Sequence, residues 1–506
     1  MRFANLPPSR LAILPLALVL AGTVLPLPAG VATPPTADRP NVIFILADDL
    51  GYGSTNAYGA DRALVRTPHL DRLASEGMRF TDANAPASVC SPTRYGFVTG
   101  RYPFRSRQKY GVLYWWDNLL PDPKEESIAA LMKRHGYATA HIGKWHLGYG
   151  QTYPLDYTGR LTPGPNDLGF DYHLGVPHQH GDIMGVYVEN DRVRGLRSRQ
   201  LSPYSRSFYQ GTPFMGIDAP QRVDKEAMRE LTEFATDWIR LKRDERFFLY
   251  FAPVAVHHPI TPSDALRGTS HCGAYGDFIH DLDWSVGRLL ETLDYLNLAE
   301  KTLIVFTSDN GGEIPENNNP DFPEIQAVKA GLAINGWLRG DKHTIWEGGT
   351  RVPFLARWPG RIPRGSTSEA MINLVDLYAT LWDLLSGGRP KPAAVAPDSF
   401  SFLPCLSAPV TKSIRRTMVT QDANGMLALR SGDWKYVDNT PPVPLDQYPE
   451  KDQAFRKRAA ATQPALFDLR ADPGEQNDLY HTRTDLVRRL KEELDTIRSD
   501  PSARAP

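Results

Sequence analysis

The chain is 506 residues long, 41% hydrophobic and 23% charged, with a formal net charge of −1 and three cysteines. Those proportions are ordinary for a globular protein, and the length accommodates one large α/β domain with a smaller companion, or three ordinary domains. The near-neutral balance excludes the broad basic face that nucleic acid or an anionic membrane would require, so any recognition of an anion has to be local.

At the N-terminus, Arg2 and Arg10 flank the start of an apolar run from Leu11 to Leu27 that Pro15 and Pro26 interrupt, and the small residues Ala29, Gly30 and Ala32 follow. A basic start, a short apolar stretch and small residues form the pattern of a secretory signal. Residues 1–32 are therefore read as a signal peptide, and the protein is expected to be exported, to the periplasm or the medium. An uncleaved anchor is the alternative reading of the same run. No later stretch approaches membrane-spanning length, so no stable membrane span is expected. Residues 33–40, rich in Pro and Thr, read as a linker.

The first core element follows at once. Val42-Ile43-Phe44-Ile45-Leu46 is unbroken in apolar character, which suits a strand buried on both faces of a parallel sheet, and it ends in Asp48-Asp49. Ser127 to His135 has the spacing of a short helix closed by Gly136. Tyr137 to Ile142 reads as a strand leading into Gly143-Lys144-Trp145-His146-Leu147-Gly148, where an extended backbone would point Lys144 and His146 to one side. Asp224 to Leu241 is helical in spacing; the strand-like run Phe247 to Phe251 then leads into His257-His258-Pro259. Gly276 to Leu293 carries a buried stripe from Phe278 to Leu293, and Leu303-Ile304-Val305-Phe306 ends in Ser308-Asp309-Asn310-Gly311-Gly312.

Four strand-like runs, each ending in polar residues, alternate with helices. That order predicts a large mixed, mostly parallel α/β sheet with helices on both faces, and ligands of such sheets bind at the carboxyl ends of the strands. The composition turns Pro-, Ala- and Ser-rich from Gly387, dividing a large domain at 41–386 from a small C-terminal α+β subdomain at 387–506. In the latter, Met426 to Arg430 and Trp434 to Val437 predict a hairpin around Ser431-Gly432-Asp433, and Thr484 to Ile497 a closing helix.

One stretch stands apart chemically: Cys90-Ser91-Pro92-Thr93-Arg94, followed by Thr99-Gly100-Arg101. A thiolate near Arg is a plausible nucleophile or metal ligand, and this composition supplies C-x-P-x-R by chance only about 0.03 times. The motif with its downstream T-G-R resembles the signature of the type I sulfatases. The resemblance runs from Asn41 to about Leu385 and again through Leu466-Phe467-Asp468-Leu469 and Asp472-Pro473-Gly474-Glu475. It implies an alkaline-phosphatase-like fold and hydrolysis of a sulfate monoester. It further implies that a formylglycine-generating enzyme oxidises Cys90 to formylglycine, whose hydrate is the nucleophile.

Asp48, Asp49, Asp309 and Asn310 offer only oxygen ligands, which suit Ca²⁺ or Mg²⁺ better than zinc; the resemblance implies calcium, held by these four and the modified Cys90. It also implies a positive pocket for the sulfate ester made by Arg94, Lys144, His146, His257 and Lys342. Within it, Lys144 and His146 would hold the formylglycine and the sulfate. His257, in an H-x-P motif, would contact the ester and help protonate the leaving alcohol, with His258 a competitor beside it. Lys342 matches the second lysine segment, although Asp341 stands where many members have Gly. Glu347 and Arg351 read as structural.

Gly169-Phe170-Asp171 followed by Val176-Pro177-His178-Gln179-His180 resembles the arylsulfatase A branch, with Gln179 at the position of a sulfate-contacting serine. Gln179, His180 and Trp115 are the substrate-binding candidates; the tryptophan either stacks on a sugar or belongs to the core. The expected substrate is a sulfated small molecule or glycan, on the ground of export. Two rivals stand beside this reading: a phosphonate or phosphate monoester hydrolase of the same superfamily, and a catalytically silent binder of sulfated glycans if Cys90 is never oxidised. Cys272 and Cys405 are left open to pair after export.

Overall fold

A computed structural model describes residues 39–500 apart from 183, 199–200, 205–213, 317 and 409–412. The signal peptide and most of the linker read from the sequence lie outside the described residues. The larger sheet contains β1 (Asn41–Ala47), β2 (Met78–Phe80), β3 (Ala138–Lys144), β4 (Tyr172–Val176), β5 (Phe247–Ala252), β6 (Thr302–Ser308), β7 (Phe354–Arg357) and β8 (Ser366–Ser368). Its order is β8-β2-β7-β6-β1-β5-β3-β4, and the short strands Val188–Glu189 and Arg192–Val193 complete ten. From β6 to β4 the strands are parallel, while β7 runs antiparallel to both of its neighbours. This is the large mixed, mostly parallel sheet that the alternation of elements predicts, and the four apolar runs are its adjacent central strands.

Those runs are unbroken because both faces are covered. In β1, Val42, Phe44 and Leu46 enter one core with Phe97 of α1 (Cys90–Thr99), Ile128 and Leu131 of α2 (Ile128–Arg134) and Leu381 of α5 (Leu377–Ser386). Ile43, Ile45 and Ala47 face the other core, under α3 (Ala227–Leu241) and α4 (Ala274–Tyr295). The rings of Phe44 and Phe97 stack at 4.1 Å, tying the sheet to the helix that carries Cys90. The stripe of α4 is buried as its spacing predicts, from Phe278 to Leu293. Ser127 caps α2 by accepting the Ala130 N–H at 3.0 Å, and Gly136 beyond its end has φ +81°. Cys272 and Cys405 lie in cores on opposite faces of the sheet and all three cysteines are free, which removes the pairing left open above. Among the described residues, no helix is long and apolar enough to cross a membrane.

The C-terminal sheet is an antiparallel meander of β9 (Thr417–Gln421), β10 (Leu427–Ser431), β11 (Trp434–Val437) and β12 (Ala465–Asp468). Two helices accompany it, α6 (Gln453–Ala461) and α7 (Thr484–Ser499); Leu486, Leu490, Leu494 and Ile497 of α7 cover Val419, Leu429, Tyr436 and Leu466. Past residue 387 the chain still contributes to the first core, through Ala396, Phe402, Cys405 and Leu406.

A buried ionic cluster joins the two sheets. Lys435 of β11 lies 3.0 Å from Glu347 and 2.8 Å from Glu475, all three at most 1% exposed, and Glu347 also accepts from Arg351. Burial alone would raise the Glu347 carboxyl, but Lys435 and Arg351 outweigh it and hold the group well below the carboxylate range. Removing one charge strands the others in a low-dielectric site. Lys435→Met is therefore expected to cost about 3 kcal/mol in urea unfolding; a loss under about 1 kcal/mol would mean that the cluster does not hold the subdomain.

Candidate active site at the carboxyl ends of the central strands

The register of β1 with β6 pairs Ala47 with Ser308, so Asp48-Asp49 and Asp309-Asn310 leave the sheet side by side. Backbone and side chain then lock them together. The Asp309 N–H donates to the Ala47 carbonyl at 3.1 Å, the Asp49 N–H to Asp309 Oδ1 at 3.1 Å, and the Leu50 N–H to Ser308 Oγ at 2.8 Å. Asp49 itself has φ +59°. The segment after β5 is stitched to the same place by Asp48 N–H to Ala255 O (3.0 Å) and Val256 N–H to Asp48 O (2.6 Å), which brings His257 over the carboxylates.

Cys90 is the first residue of α1, a helix buried along its whole length. Arg94, one turn further, donates to Asp309 Oδ2 from Nε (3.1 Å) and Nη2 (2.7 Å), to the Lys144 carbonyl from Nη1 (2.8 Å) and to Asp48 Oδ1 (3.3 Å). Lys144 Nζ donates to both Asp48 oxygens at 2.8 Å. Gly143 before it has φ +122° and lies so close to β5 that a Cβ would meet the Ala252 carbonyl oxygen at 1.9 Å; only glycine allows the approach. β3 ends at Lys144 and His146 has φ +53°, so the two side chains are not related by an extended backbone as the spacing predicts. Instead His146 Nε2 donates to the Leu113 carbonyl at 3.0 Å, while its buried Nδ1 has no hydrogen-bond partner among the described residues.

A cavity of 980 Å³ opens on this constellation, and Cys90, Gln179, His257, His258, Glu313 and Lys342 line its inner part. Lys342 Nζ donates to Asp49 Oδ2 (2.6 Å) and Glu313 Oε2 (2.9 Å) and lies 3.4 Å from His257 Nε2. His257 Nδ1 is 2.6 Å from its neighbour's carbonyl, which makes Nδ1 the protonated nitrogen of the neutral ring. Of the five residues expected to form the positive pocket, His257 and Lys342 line the cavity, whereas Arg94, Lys144 and His146 stand behind it and grip the carboxylates or the backbone. The other two substrate-binding candidates lie outside the cavity lining. His180 is buried away from the cavity lining, bonded through Nε2 to Thr261 Oγ1 at 2.6 Å, and Trp115 packs against the first core with its ring edge-on to Trp116.

The electrostatics are those of a crowded, buried cluster of carboxylates and basic groups. Burial pushes the Asp48 carboxyl up to about 7 against the pull of Lys144, and raises Asp49 against that of Lys342. Burial acts the same way on Asp309, but Arg94 and Lys144 outweigh it and lower that group. Desolvation pushes the Cys90 thiol up to about 12, and burial drives His146 and His257 well below the imidazole range, so both rings are neutral. Ligand atoms of Asp48, Asp49, Cys90 and His257 lie within 4.8 Å of one another. Asn310 donates its amide N–H groups to Asp49 Oδ1 and the Gly311 carbonyl, leaving Oδ1 buried without a hydrogen-bond partner. An orphaned amide oxygen beside convergent carboxylates fits a hard dication.

Two residues of the site were passed over in the sequence. His178 Nε2 donates to the same Leu113 carbonyl as His146 (2.8 Å), with the two rings 4.4 Å apart. Glu313 balances Lys342, and burial is outweighed so far by that lysine that its carboxyl falls to about 2. The only signal for Glu313 was its place directly after Gly311-Gly312.

Comparison with known proteins matches residues 40–388 to the family model described as Sulfatase. The chain is 33% identical to an N-acetylgalactosamine-6-O-sulfatase of Bacteroides thetaiotaomicron over 92% of its own length and 94% of the relative's. It is also 33% identical to human arylsulfatase A, over 90% and 86% of the two chains. A solved Bacteroides thetaiotaomicron structure, titled for the metabolism of multiple glycosaminoglycans, superposes with a TM-score of 0.80 at 32% identity, covering 92% of this chain and 100% of that one.

Proposed function

The chain belongs to the type I sulfatase family, on its arylsulfatase A-like side, and is a sulfuric ester hydrolase; from that premise we propose that it is an exported enzyme that cleaves a sulfate monoester of a sulfated carbohydrate. The observation that carries the site assignment is the convergence of Cys90, Asp48, Asp49 and His257 at the inner end of a cavity that Lys342 also lines. The sugar substrate is supported by the relative named for N-acetylgalactosamine 6-O-sulfate chemistry.

In this reading Cys90 is oxidised during maturation by a formylglycine-generating enzyme. The resulting hydrated aldehyde supplies the nucleophile that attacks sulfur, a role for which the buried, protonated thiol itself is poorly suited. Asp48, Asp49, Asp309 and Asn310 would hold Ca²⁺, which when bound supplies a Lewis acid favouring the anionic form of that nucleophile. The remaining roles follow from where the side chains are. Lys342, fixed between Asp49 and Glu313, presents an ammonium to the sulfate oxygens. A bound sulfate ester adds negative charge beside His257 Nε2, raising its proton affinity so that Nε2 takes up a proton from solvent and hands it to the leaving alcohol. Gln179, which also lines the cavity, offers an amide donor. Arg94 and Lys144 hold Asp309 and Asp48 in place, and His146, anchored on Leu113, aims its unpaired Nδ1 as an acceptor. Residues 41–386 are assigned to catalysis and 387–506 to a subdomain that closes the cavity.

The reading is tested by incubating purified, matured protein with sulfated amino sugars and with matched phosphate and phosphonate monoesters. Release of inorganic sulfate from the sugars, with turnover of the phosphorus esters lower by about 10²-fold or more, is expected; the reverse order would replace the proposal with the rival hydrolase. The cation is tested separately. Ca²⁺ at about 100 times its Kd is expected to stabilise the protein by about 2.7 kcal/mol and chelation to remove that gain. A melting temperature indifferent to both would leave the four oxygen donors without a cation to bind.

A further inference from the structure

The cavity does not end at the sulfate-handling residues. It continues from Cys90 to α6 of the C-terminal subdomain, where Phe455, Arg458 and Ala461, three residues apart on one helical face, form its outer wall. Arg458 is held in place: its Nε donates to Asn424 Oδ1 at 2.8 Å and its guanidinium lies 4.9 Å from the centre of the Phe455 ring. Asn424 is oriented in turn by Asp422, whose carboxylate accepts the N–H groups of Asn424 and Met426. No carboxylate of the described residues forms an ion pair with Arg458. The other cations of the wall are engaged, Lys342 by Asp49 and Glu313, and Arg339 by the Glu475 carbonyl and the face of Trp346 at 3.7 Å.

This wall is registered to the inner site. Tyr110 stacks on Tyr448 at 4.9 Å and meets Phe455 at 5.2 Å, and its hydroxyl donates to Asp452 Oδ2 at 3.0 Å, just before α6. Three residues on, the Leu113 carbonyl receives His146 and His178. A single loop therefore fixes both the sulfate-handling residues and the helix bearing Arg458.

We propose that the outer end of the cavity is an anion subsite, in which Arg458 binds a carboxylate or a second sulfate on the sugar adjoining the one that carries the scissile sulfate. The proposal rests on the reading of the enzyme as a carbohydrate sulfatase and adds that its preferred substrate is an acidic glycan fragment at least two sugars long. A guanidinium preset by an amide and an aromatic face loses little entropy on meeting such an anion.

The test uses affinity, so that it does not depend on turnover. Three desulfated product disaccharides share the same amino sugar and differ in its neighbour, which is a uronic acid, a sulfated hexose or a neutral hexose. They are titrated calorimetrically into the matured wild type and into Arg458→Gln. The wild type is expected to bind at least one of the two acidic ligands about tenfold more tightly than the neutral one; which of the two identifies the anion. The preference is expected to vanish in Arg458→Gln and to return in part in Arg458→Lys, with the neutral ligand unchanged. Equal or absent binding of all three by the wild type, or a preference that survives in Arg458→Gln, overturns the subsite. Sulfate release from a single sulfated amino sugar, which lacks the neighbour, is expected to be the same in wild type and Arg458→Gln. Its absence in both, alongside a normal binding preference, would count against the sulfatase substrate and not against the subsite.

Discussion

Cys90→Ala is expected to lower kcat for a sulfate ester by about 10⁵-fold, the scale of losing a covalent nucleophile while binding groups remain. The same variant should unfold within about 1 kcal/mol of the wild type, because a single small buried atom is removed and neither Arg94 nor the carboxylates lose a partner. Activity loss with preserved stability separates a chemical role from a packing one. Peptide mass spectrometry of the fragment spanning Cys90, from protein matured in its own host, supplies the second arm: the thiol is expected to be replaced by the aldehyde. A Cys90→Ala enzyme that kept more than about 1% of its turnover, or a wild type active with an intact thiol, would remove Cys90 from the mechanism.

Asp309→Ala carries the second large effect, and it acts on stability and activity together. Asp309 is fully buried, accepts two guanidinium hydrogen bonds from Arg94 and one from the Asp49 N–H, and belongs to the proposed cation site. Without it Arg94 stays buried with the Lys144 carbonyl and, as its remaining carboxylate, Asp48 at 3.3 Å. A loss of about 4 kcal/mol in urea unfolding is expected, with kcat down at least about 10³-fold. Asp309→Asn keeps the shape and an acceptor for Asp49 but not the charge, so its cost should be about half as large. Repeating the unfolding with calcium and with chelator distinguishes the two roles. Calcium should stabilise the wild type and not Asp309→Ala; an undiminished calcium response in the variant would exclude Asp309 from the cation site and leave it as the anchor of Arg94.

Much of this site is legible in the sequence. Asp48-Asp49 and Asp309-Asn310 were readable because each pair directly follows an unbroken apolar run, and such runs can only be strands covered on both faces; parallel pairing then brings their carboxyl ends together. The zero-offset pairing of Ala47 with Ser308 that sets the two pairs side by side is a property of the sheet and has no local signal. The same limit explains the changed expectations. Lys144 and His146 share a motif, but His146 adopts a left-handed backbone conformation after the strand has ended, so their spacing says nothing about a shared face. His180 and Trp115 stand out in short motifs by their chemistry, but their packing is set elsewhere: one binds Thr261, the other packs against the first core.

The opposite kind of miss is Arg458. It lies in a charged helix with an ordinary composition, more than 360 residues from Cys90, and nothing in its neighbourhood marks it for binding. It lines the cavity because the subdomain docks through Lys435, Glu347 and Glu475 and because Tyr110 reaches across to Phe455.

What the amino-acid sequence determined by itself was the set of elements and the family, because periodicity, strand ends and the Cys90 motif are local properties of the chain. Which basic side chains line the cavity, which ones instead hold the carboxylates, and how far the cavity extends from Cys90 were decided only by tertiary structure. Each of those depends on the distance between charges from separate segments, and in a low-dielectric interior that distance sets how tightly a neighbouring carboxylate holds a lysine or arginine in place.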